Sequence, residues 1–437
     1  MNLRKNLNNN VAVILAGGGD ANLWPISNGN NPKQFNHFIG EGTLIQNTIE
    51  RLLNHYDISQ IYVTTTSGFE NYIYEQLPNL NKSNLFVEPF INGSLSSIML
   101  ATSIILKRLG KSTVITFYPT DHIIENLGEF FHSVDISVLF AKFNNSFAVI
   151  GIEPDYPYQK LGYIQYKELK TNKINIDLKG YLDKNTDLIL TNEIDYKNEN
   201  VLSLDYLESS DNLDNLEILE SSDYLESLEI LESDDLKFIN EVITFAEKPD
   251  KESAKRFIDS GDFLWNTGIV SVRADVLFQE YRQYYPYEFQ YFEKLLGHVD
   301  KKNFDLQISL LYRRLKPLSL ENGIFDKNTN LNNNIDHITK LYAIKSDFKW
   351  LDVDSWSEVY EESKKDPRGN VFNGNIINIK SKNNLVFSKN LQIALIGIEN
   401  VVVIENEGSL LICNKNDTNL VNEALLELKR NKIHNLT

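Results

Sequence analysis

A short apolar run followed at once by three glycines is the feature that most restricts the fold of this chain. Val11–Ala16 has the length and composition of a buried β-strand, and Gly17, Gly18 and Gly19 come directly after it. Glycines at the carboxyl end of a leading strand let main-chain N–H groups approach a nucleotide or phosphate closely. The spacing fits no dinucleotide GxGxxG motif, because Asn22 stands where the third glycine is needed, and it fits no GxxxxGK[ST] loop.

Segments with strand and helix character alternate through the first two thirds of the chain. Strand-like segments after the first are Ile61–Thr65, Thr113–Tyr118 and Phe147–Ile152, and segments with helical periodicity are Leu44–Leu53, Ser97–Leu109 and Phe130–Phe140. This alternation predicts an α/β fold in which a mixed, mostly parallel sheet lies between helices.

The sequence pattern changes after the turn-like segment Asp366–Gly369. Short β-rich segments follow, namely Ile376–Ile379, Leu391–Ile398, Val401–Glu405 and Ser409–Cys413, and then a predicted helix over Asn419–Lys432. We therefore expect two domains, a large α/β domain over residues 1–365 and a small β-rich domain over residues 366–437.

An acidic tandem repeat interrupts the α/β pattern at about residues 195–237. Between Val201 and Leu236 there are twelve Asp and Glu residues and no Lys or Arg, which accounts for most of the net charge of −17. From Leu204 to Glu232 an acid recurs at every third position, a period that fits neither a strand nor an α-helix. We interpret the repeat as a disordered or loosely helical insertion in a surface loop, with a partner-binding motif as the alternative. The rest of the chain is only mildly acidic, so nucleic acid is not an expected partner.

Other features narrow the class of protein. No run of about 18 uncharged apolar residues is present, so no membrane span is expected. The first apolar run is too short for a convincing signal peptide. Cys413 is the single cysteine, so no intramolecular disulfide can form, and the seven histidines are scattered, which argues against a zinc site. A cytoplasmic location is expected.

A series of motifs occurs in an order that resembles one known enzyme family. They are Leu15-Ala16-Gly17-Gly18 with Leu23-Trp24-Pro25 and Pro32-Lys33-Gln34-Phe35, then Glu88-Pro89, Pro119-Thr120-Asp121-His122, Gly162-Tyr163-Ile164, Phe245-Ala246-Glu247-Lys248-Pro249, Leu264-Trp265-Asn266-Thr267-Gly268-Ile269 and Trp350-Leu351-Asp352-Val353-Asp354-Ser355-Trp356. The corresponding family motifs are LAGG with GTRLWP and PKQF, an EP-led loop, PADH, GYGYI, FVEKP, WNSGI and WxDVGSW. Over about Val11 to Lys429 the chain resembles the mannose-1-phosphate guanylyltransferases of the nucleotidyltransferase family.

This resemblance implies the Rossmann-like nucleotide-diphospho-sugar transferase fold with a small β-helix-like domain at its carboxyl end. It implies GTP and mannose 1-phosphate as substrates and Mg²⁺ as cofactor. The implied reaction is a direct attack of the sugar phosphate on the α-phosphorus of GTP with release of pyrophosphate. Because no covalent enzyme intermediate is needed, catalysis would consist chiefly of positioning and charge neutralisation.

The same resemblance implies roles for particular residues. Lys33, Asp121 and Asp352 would be catalytic, and the two aspartates would hold Mg²⁺. The implied nucleotide-binding residues are Leu15, Ala16, Gly17, Gly18, Lys33, Glu88, Pro89 and Asp121, and the implied sugar-phosphate-binding residues are Gly162, Glu247, Lys248 and Asn266. Seen alone, each position has an ordinary structural interpretation, such as a turn or a helix cap for Asp121.

Several positions on the nucleotide side depart from the family pattern. Asn22 and Asp20 stand where GTRLWP has its arginine and glycine. Asp354 stands at the glycine of WxDVGSW, and Ile91–Ser94 replaces a GRNT-like run. Loss of one preorganised cationic contact costs ~3 kcal/mol of transition-state stabilisation, about a hundredfold in rate. We therefore expect weakened guanylyltransferase activity that an Asn22→Arg substitution would raise.

Two alternatives stay open from the sequence. One is a non-catalytic relative that binds sugar phosphate or a protein partner, and the other is a transferase that uses a different nucleotide or sugar 1-phosphate. The phosphomannose isomerase activity of bifunctional family members is not expected. The β-rich segment is a candidate for homo-oligomer contacts.

Overall fold

The computed structural model describes residues 10–19, 21–169, 236–330 and 339–431. Asp20 and almost all of the acidic repeat lie outside these residues, so the predictions made for them stay predictions.

A nine-stranded mixed sheet forms the centre of the described part of the chain. The strands before the β-rich segment are β1 (Asn10–Ala16), β2 (Ile61–Thr66), β3 (Leu85–Glu88), β4 (Val114–Pro119), β5 (His122–Ile124), β6 (Phe147–Ile152), β7 (Tyr163–Glu168), β8 (Ile239–Ala246), β9 (Phe263–Arg273), β10 (Leu341–Ser346) and β11 (Trp350–Asp352). The order of strands in the sheet is β3-β2-β1-β4-β9-β6-β10-β8-β7. The short strands β5 and β11 form a separate antiparallel pair. The first three predicted strands coincide with β1, β2 and β4 to within one residue, and β6 matches its prediction at both ends. These agreements reflect the apolar, β-branched runs that a sheet buried on both faces requires.

The sheet is mixed, as predicted, but parallel pairing prevails only in its amino-terminal part. Strands β3, β2, β1 and β4 are parallel to one another, and β6 is parallel to β10. Strand β9 runs between β4 and β6 in the opposite direction, and β8 is antiparallel to both of its neighbours. The alternation of strands and helices in the sequence does not indicate that β9 and β8 are antiparallel to their neighbours. A strand's direction depends on where the chain returns to the sheet.

Helices cover both faces of the sheet and enclose two hydrophobic cores. The helices are α1 (Leu44–Leu52), α2 (Glu70–Gln76), α3 (Ser94–Leu109), α4 (Leu127–Asn144), α5 (Lys251–Ser260), α6 (Ala274–Tyr284), α7 (Pro286–Leu296), α8 (Phe304–Tyr312), α9 (Asp326–Asn330), α10 (Trp356–Glu362) and α11 (Val421–Arg430). One core packs α3, α6, α7 and α8 against the sheet, and the other packs α1, α2 and α4. The helix predicted over Phe130–Phe140 extends further at both ends in the structure. Its first residues, 127–129, could not be predicted because they are exposed and carry no core periodicity. Among the described helices, none is both long enough and apolar enough to cross a membrane.

The β-rich segment forms coils of short strands. Its strands are β12 (Val371–Asn373), β13 (Ile376–Ile379), β14 (Leu385–Ser388), β15 (Ile393–Ile396), β16 (Val401–Asn406) and β17 (Ser409–Asn414). Strands β12, β14 and β16 pair in parallel, as do β13 and β15, whereas β17 turns back antiparallel to β16. The strand predicted at Leu391–Ile398 is shorter, and the final helix begins at Val421 after a 3₁₀ turn.

A third hydrophobic core joins this β-rich segment to the segment that follows the glycines. Leu23 and Trp24 pack in the same cluster as Trp356, Phe387 and Ile404. The indole of Trp356 donates a hydrogen bond to the carbonyl oxygen of Trp24 at 2.9 Å. The β-rich segment therefore supports the loop after β1 directly, and the division into two domains at residue 366 stays a prediction.

Candidate functional site

The carboxyl ends of β1 and β4 define the edge of the sheet where the predicted phosphate-binding residues meet. Leu15 of β1 pairs with Pro119 of β4. Gly17 and Asp121 each lie two residues beyond this pair, so both reach the same edge. The chain leaves β1 towards β2 on one side and is flanked by β4 on the other, and ligands of open α/β sheets bind at such a reversal of strand order.

Hydrogen bonds from two side chains hold the glycine loop. The amide nitrogen of Gln34 donates to the carbonyl oxygens of Ala16 at 3.0 Å and of Gly18 at 2.8 Å. The hydroxyl of Thr66 donates to the carbonyl oxygen of Gly17 at 2.9 Å. These bonds engage the carbonyl oxygens of the loop and not its N–H groups. Gln34 is a functional residue that sequence reasoning missed, although its place in the PKQF-like motif was a usable signal.

Glu88 packs beneath the glycine loop. A Cβ atom at position 17 would lie 2.7 Å from the Glu88 carboxylate, so a glycine is required there for close approach. Glu88 is 1% exposed, and its carboxylate accepts hydrogen bonds from the hydroxyls of Ser97 at 2.7 Å and Tyr312 at 2.9 Å. Both oxygens of its carboxylate are thus engaged in the interior, and the nucleotide-binding role of Glu88 and Pro89 stays a prediction.

Lys33 lies at the centre of a group of carboxylates. It begins a single 3₁₀ turn, Lys33–Phe35, and its side chain is 6% exposed. Its ammonium lies 2.7 Å from the Asp121 carboxylate, 3.2 Å from the Asp354 carboxylate and 3.2 Å from the carbonyl oxygen of Val353. Burial acts to lower the pKa of Lys33, but Asp121, Asp352 and Asp354 outweigh it and the pKa is raised well above its ordinary value. Lys33 is therefore held in its charged form.

Asp121 and Asp352 are brought together by the pair of short strands. Asp352 pairs with His122 across β11 and β5, and the N–H of Val353 donates to the carbonyl oxygen of Asp121 at 2.9 Å. Burial opposes ionisation of Asp121, yet Lys33 keeps its pKa below the ordinary value. Burial and the charge of Asp121 raise the pKa of Asp352 well above its ordinary value. The two carboxylates therefore compete for one source of positive charge.

The arrangement of these two carboxylates fits a hard divalent cation. Oδ1 of Asp352 is buried without a hydrogen-bond partner, which is a costly state for a carboxylate oxygen. No group of three or more His, Cys, Asp or Glu side chains suited to a metal occurs in the described ranges. Mg²⁺ commonly takes one or two protein carboxylates and fills its remaining positions with phosphate oxygens and water. Asp121 and Asp352 match that pattern.

A second polar group forms where β7, β8 and β9 come together. The N–H of Asn266 donates to the carbonyl oxygen of Gly162 at 2.8 Å, and a Cβ atom on Gly162 would lie 2.9 Å from the Glu247 carboxylate. The side-chain amide of Asn266 donates to Glu321 at 3.1 Å. Partial burial and the neighbouring Glu321 raise the pKa of Glu247. Glu321 belongs to no recognised motif, so sequence reasoning missed it.

The two groups are adjacent at the sheet edge. Gly268 follows Asn266 in the same motif, and a Cβ atom there would lie 3.4 Å from the Pro119 ring at the end of β4. Lys248, directly after Glu247, is exposed and has a positive φ of 45°. The structure thus gathers the predicted phosphate-side and sugar-side residues at one edge.

Comparison with known proteins identifies the family. Residues 11–176 and 230–369 match the family model described as "Nucleotidyl transferase", which is more than half of the chain. The chain belongs to the nucleotidyl transferase family. Residues 374–428 match a second model, "MannoseP isomerase/GMP-like beta-helix domain". The predicted fold class, an α/β transferase domain followed by a β-rich, β-helix-like segment, is confirmed.

Individual proteins that this chain resembles carry the names of mannose-1-phosphate transferases. The chain is 25% identical over 426 residues to "Mannose-1-phosphate guanylyltransferase 2" of Escherichia coli O157:H7, covering 96% of the chain and 73% of the relative. It is 24% identical over 434 residues to a "Mannose-1-phosphate guanylyltransferase" of Escherichia coli, covering 97% of the chain and 77% of the relative. A crystal structure of "mannose-1-phosphate geranyltransferase" from Thermus thermophilus shares the fold with a TM-score of 0.70 at 18% identity, over 96% of this chain and 99% of that one. The resemblance to mannose-1-phosphate guanylyltransferases is confirmed.

Two of the positions where this nucleotidyl transferase departs from the family motifs are in direct contact. The side-chain amide of Asn22 donates to Oδ1 of Asp354, although the two residues are 332 positions apart. The same oxygen also contacts the ammonium of Lys33. An arginine at position 22 would therefore meet the Asp354 carboxylate before it met a phosphate. This contact changes the expectation for Asn22→Arg.

Glu88 gives a pH-dependent stability that can be tested. Burial raises its pKa to about 7 from an ordinary value of 4.5. Between these values the folded state holds a proton that the unfolded state has lost, so the free energy of unfolding falls as pH rises, by about 3 kcal/mol in total. We expect Glu88→Gln to remove this fall. Urea unfolding from pH 4.5 to pH 8 measures it, and Glu361→Gln, which changes an exposed carboxylate, is expected to follow the wild type. Parallel curves for wild type and Glu88→Gln would contradict the prediction.

Gly162 gives a prediction for substrate binding. In Gly162→Ala the new Cβ atom displaces the carboxylate end of Glu247, because only 2.9 Å separates them. We expect KM for the sugar phosphate to rise about tenfold, the loss of one hydrogen-bonding group, with KM for the nucleotide unchanged. Gly29→Ala is the matched control, since nothing lies within 4 Å of its Cβ position. A rise in both KM values would argue against a sugar-side role.

Proposed function

We propose that this nucleotidyl transferase forms GDP-mannose and pyrophosphate from GTP and mannose 1-phosphate, at a rate lowered by the absence of an arginine at position 22. The observation that carries the proposal is the meeting of Lys33, Asp121 and Asp352 at the edge where β1 and β4 end. The names of the similar proteins support the choice of substrates.

The reaction that this geometry serves is a direct transfer between phosphates. A phosphate oxygen of the sugar phosphate attacks the α-phosphorus of the nucleotide, a new P–O bond forms, and the bond to pyrophosphate breaks. The main-chain N–H groups of Gly17 and Gly18 would seat the phosphates. Lys33 would stabilise the charge that develops on them, which is the preorganised electrostatic contribution that dominates such transfers.

The remaining predicted residues would hold the cofactor and the sugar. Asp121 and Asp352 would hold Mg²⁺, which when bound neutralises phosphate charge and orients the phosphate oxygens. Glu247 would accept hydrogen bonds from sugar hydroxyls, and the side-chain amide of Asn266 would donate to them beside Gly162. Lys248 would pair with the sugar phosphate as a point charge.

One observation favours the alternative of a non-catalytic relative that binds sugar phosphate or a protein partner. The three N–H groups of the Lys33 ammonium face three acceptors, on Asp121, Val353 and Asp354. A lysine with all its donors engaged must release one of them to bind a phosphate oxygen. The Asp354 contact therefore weakens the case for a fast enzyme.

Pyrophosphate release from purified protein tests the proposal. With GTP, mannose 1-phosphate and Mg²⁺ we expect turnover that needs both substrates, and an identically purified Asp121→Ala variant is expected to give only background. The other nucleoside triphosphates and glucose 1-phosphate, assayed in parallel, separate the proposed substrates from the alternatives. Turnover that prefers another pair would replace the substrates, and no turnover with any pair would overturn the enzymatic proposal.

A further inference from the structure

We propose that Lys160 binds the triphosphate of the nucleotide in this site. The inference deepens the proposed function and rests on it. Nothing in the motif comparison assigns Lys160 a role, and it lies in the loop between β6 and β7, two residues before Gly162.

The first step is the charge balance of the site. Asp121, Asp352 and Asp354 surround one buried cation, Lys33, whose donors are already engaged by Asp121, Val353 and Asp354. A triphosphate that enters beside these carboxylates is repelled unless further positive charge is present. Mg²⁺ held by Asp121 and Asp352 would offset those two carboxylates, but Asp354 lies outside that pair and shares Lys33 with Asp121. A second cation beside Asp354, with N–H groups that can reach phosphate oxygens, would lower the repulsion that remains.

Lys160 has the position and the exposure that this role requires. Its ammonium lies 3.9 Å from Oδ2 of Asp354, and its side chain is 34% exposed. The distance of 3.9 Å exceeds the length of a hydrogen bond, so the attraction is purely Coulombic. All N–H groups of Lys160 therefore stay available on this side. Lys33 and Asn22 use the other oxygen of the same carboxylate. Lys160 thus approaches the Asp354 carboxylate on the oxygen that these two residues leave open.

The loop that carries Lys160 is fastened to the segment that carries Asp354. The hydroxyl of Tyr158 donates to one oxygen of Glu358, and the N–H of Asp354 donates to its other oxygen at 2.7 Å. The hydroxyl of Tyr163 also donates to the carbonyl oxygen of Tyr158 at 3.0 Å. These bonds hold the loop at Tyr158, two residues before Lys160, and tie it to the first residue of β7. The lysine therefore reaches the site at a small cost in conformational entropy.

The departures from the family motifs support the same assignment. Counted back from Gly162 in the GYGYI-like motif, Lys160 stands at the position of the first glycine. Positions 22, 160 and 354 therefore all depart from the pattern, and the side chains of Asn22 and Lys160 both approach the carboxylate of Asp354. A cation lost at position 22 is matched by one gained at position 160, beside the same carboxylate.

Equilibrium binding of GTP and of inorganic tripolyphosphate, each without the sugar phosphate, tests the assignment. We expect Lys160→Met to weaken both affinities about tenfold or more, the value of one charge-assisted hydrogen bond, and Lys160→Arg to retain most of the affinity. Lys382→Met, which removes a lysine paired with Glu399 in the β-rich segment, is the matched control and is expected to change nothing. In turnover, Lys160→Met should raise KM for GTP more than KM for mannose 1-phosphate.

The outcomes separate this inference from the proposed function. If the wild type turns over its substrates and Lys160→Met binds GTP and tripolyphosphate within about twofold of it, the inference is overturned and the function stands. If no substrate pair is turned over but tripolyphosphate binding still depends on Lys160, the enzymatic proposal fails and the phosphate contact stands. A rise in KM for mannose 1-phosphate alone would also overturn the assignment to the triphosphate.

Discussion

Lys33→Met is expected to destabilise the fold by about 3–5 kcal/mol and to lower kcat/KM at least about a hundredfold. The buried ammonium is the cation shared by Asp121 and Asp354, and its charge also acts on Asp352. Methionine keeps much of the side-chain volume but leaves these carboxylates uncompensated in a desolvated site. One or more of them must then take up a proton, which weakens their affinity for a divalent cation. The positive charge of Lys33 that would stabilise the phosphates is lost as well.

Urea unfolding at pH 8, together with pyrophosphate release, measures both effects. Lys389→Met is the matched control, because it removes a lysine paired at 3.0 Å with Glu407 where both side chains are exposed. Exposed pairs contribute at most about 1 kcal/mol, so the control is expected to unfold like the wild type. The destabilisation of Lys33→Met should shrink as pH falls, since protonation relieves the carboxylate repulsion. A loss below about 1 kcal/mol at pH 8 would show that the carboxylates do not depend on Lys33.

The first strands and the edge that carries the site could be predicted from local sequence. The apolar run at Val11–Ala16 has the composition of a buried strand. The glycines directly after it leave room for a phosphate group, and this does not depend on the more distant sequence. Asp121 and Lys33 were predicted from motifs, and the structure places their charged groups 2.7 Å apart. What made these predictions possible is that each depends on a few neighbouring residues.

The contacts that modify the site could not be predicted in the same way. The pair Asn22 and Asp354 is separated by 332 positions, and the approach of Lys160 to Asp354 depends on a loop held by Glu358. Positions 22 and 354 each differ from the family motifs, but nothing in the sequence indicates that the two side chains meet. Only the closure of β11 onto β5 brings Asp354 beside Lys33, and no periodicity encodes that closure.

Because Asn22 and Asp354 are in contact, we expect substitutions at these two positions to have coupled effects on kcat/KM. Asn22→Arg alone is expected to raise kcat/KM less than about threefold, because the new guanidinium pairs with the Asp354 carboxylate at the position that the amide now occupies. Asp354→Gly alone releases one donor of Lys33 and is expected to give less than about a tenfold gain. In the double variant the arginine has no carboxylate in front of it and can meet the triphosphate, a contact that provides ~3 kcal/mol or about a hundredfold in rate.

Steady-state kinetics of the four proteins, as a double-mutant cycle, measures this coupling. Residues in direct contact typically show interaction energies of about 0.5–3 kcal/mol, and here the double variant should exceed the product of the two single gains. Asn22→Gln in the Asp354→Gly background is the control, since it adds length without charge and should give no further gain. Gains that multiply without excess would mean that Asn22 and Asp354 act independently on the substrate. A gain of about a hundredfold in kcat/KM from Asn22→Arg alone would mean that the arginine does not pair with Asp354. Asp354 would then not be the residue that limits the rate at this site.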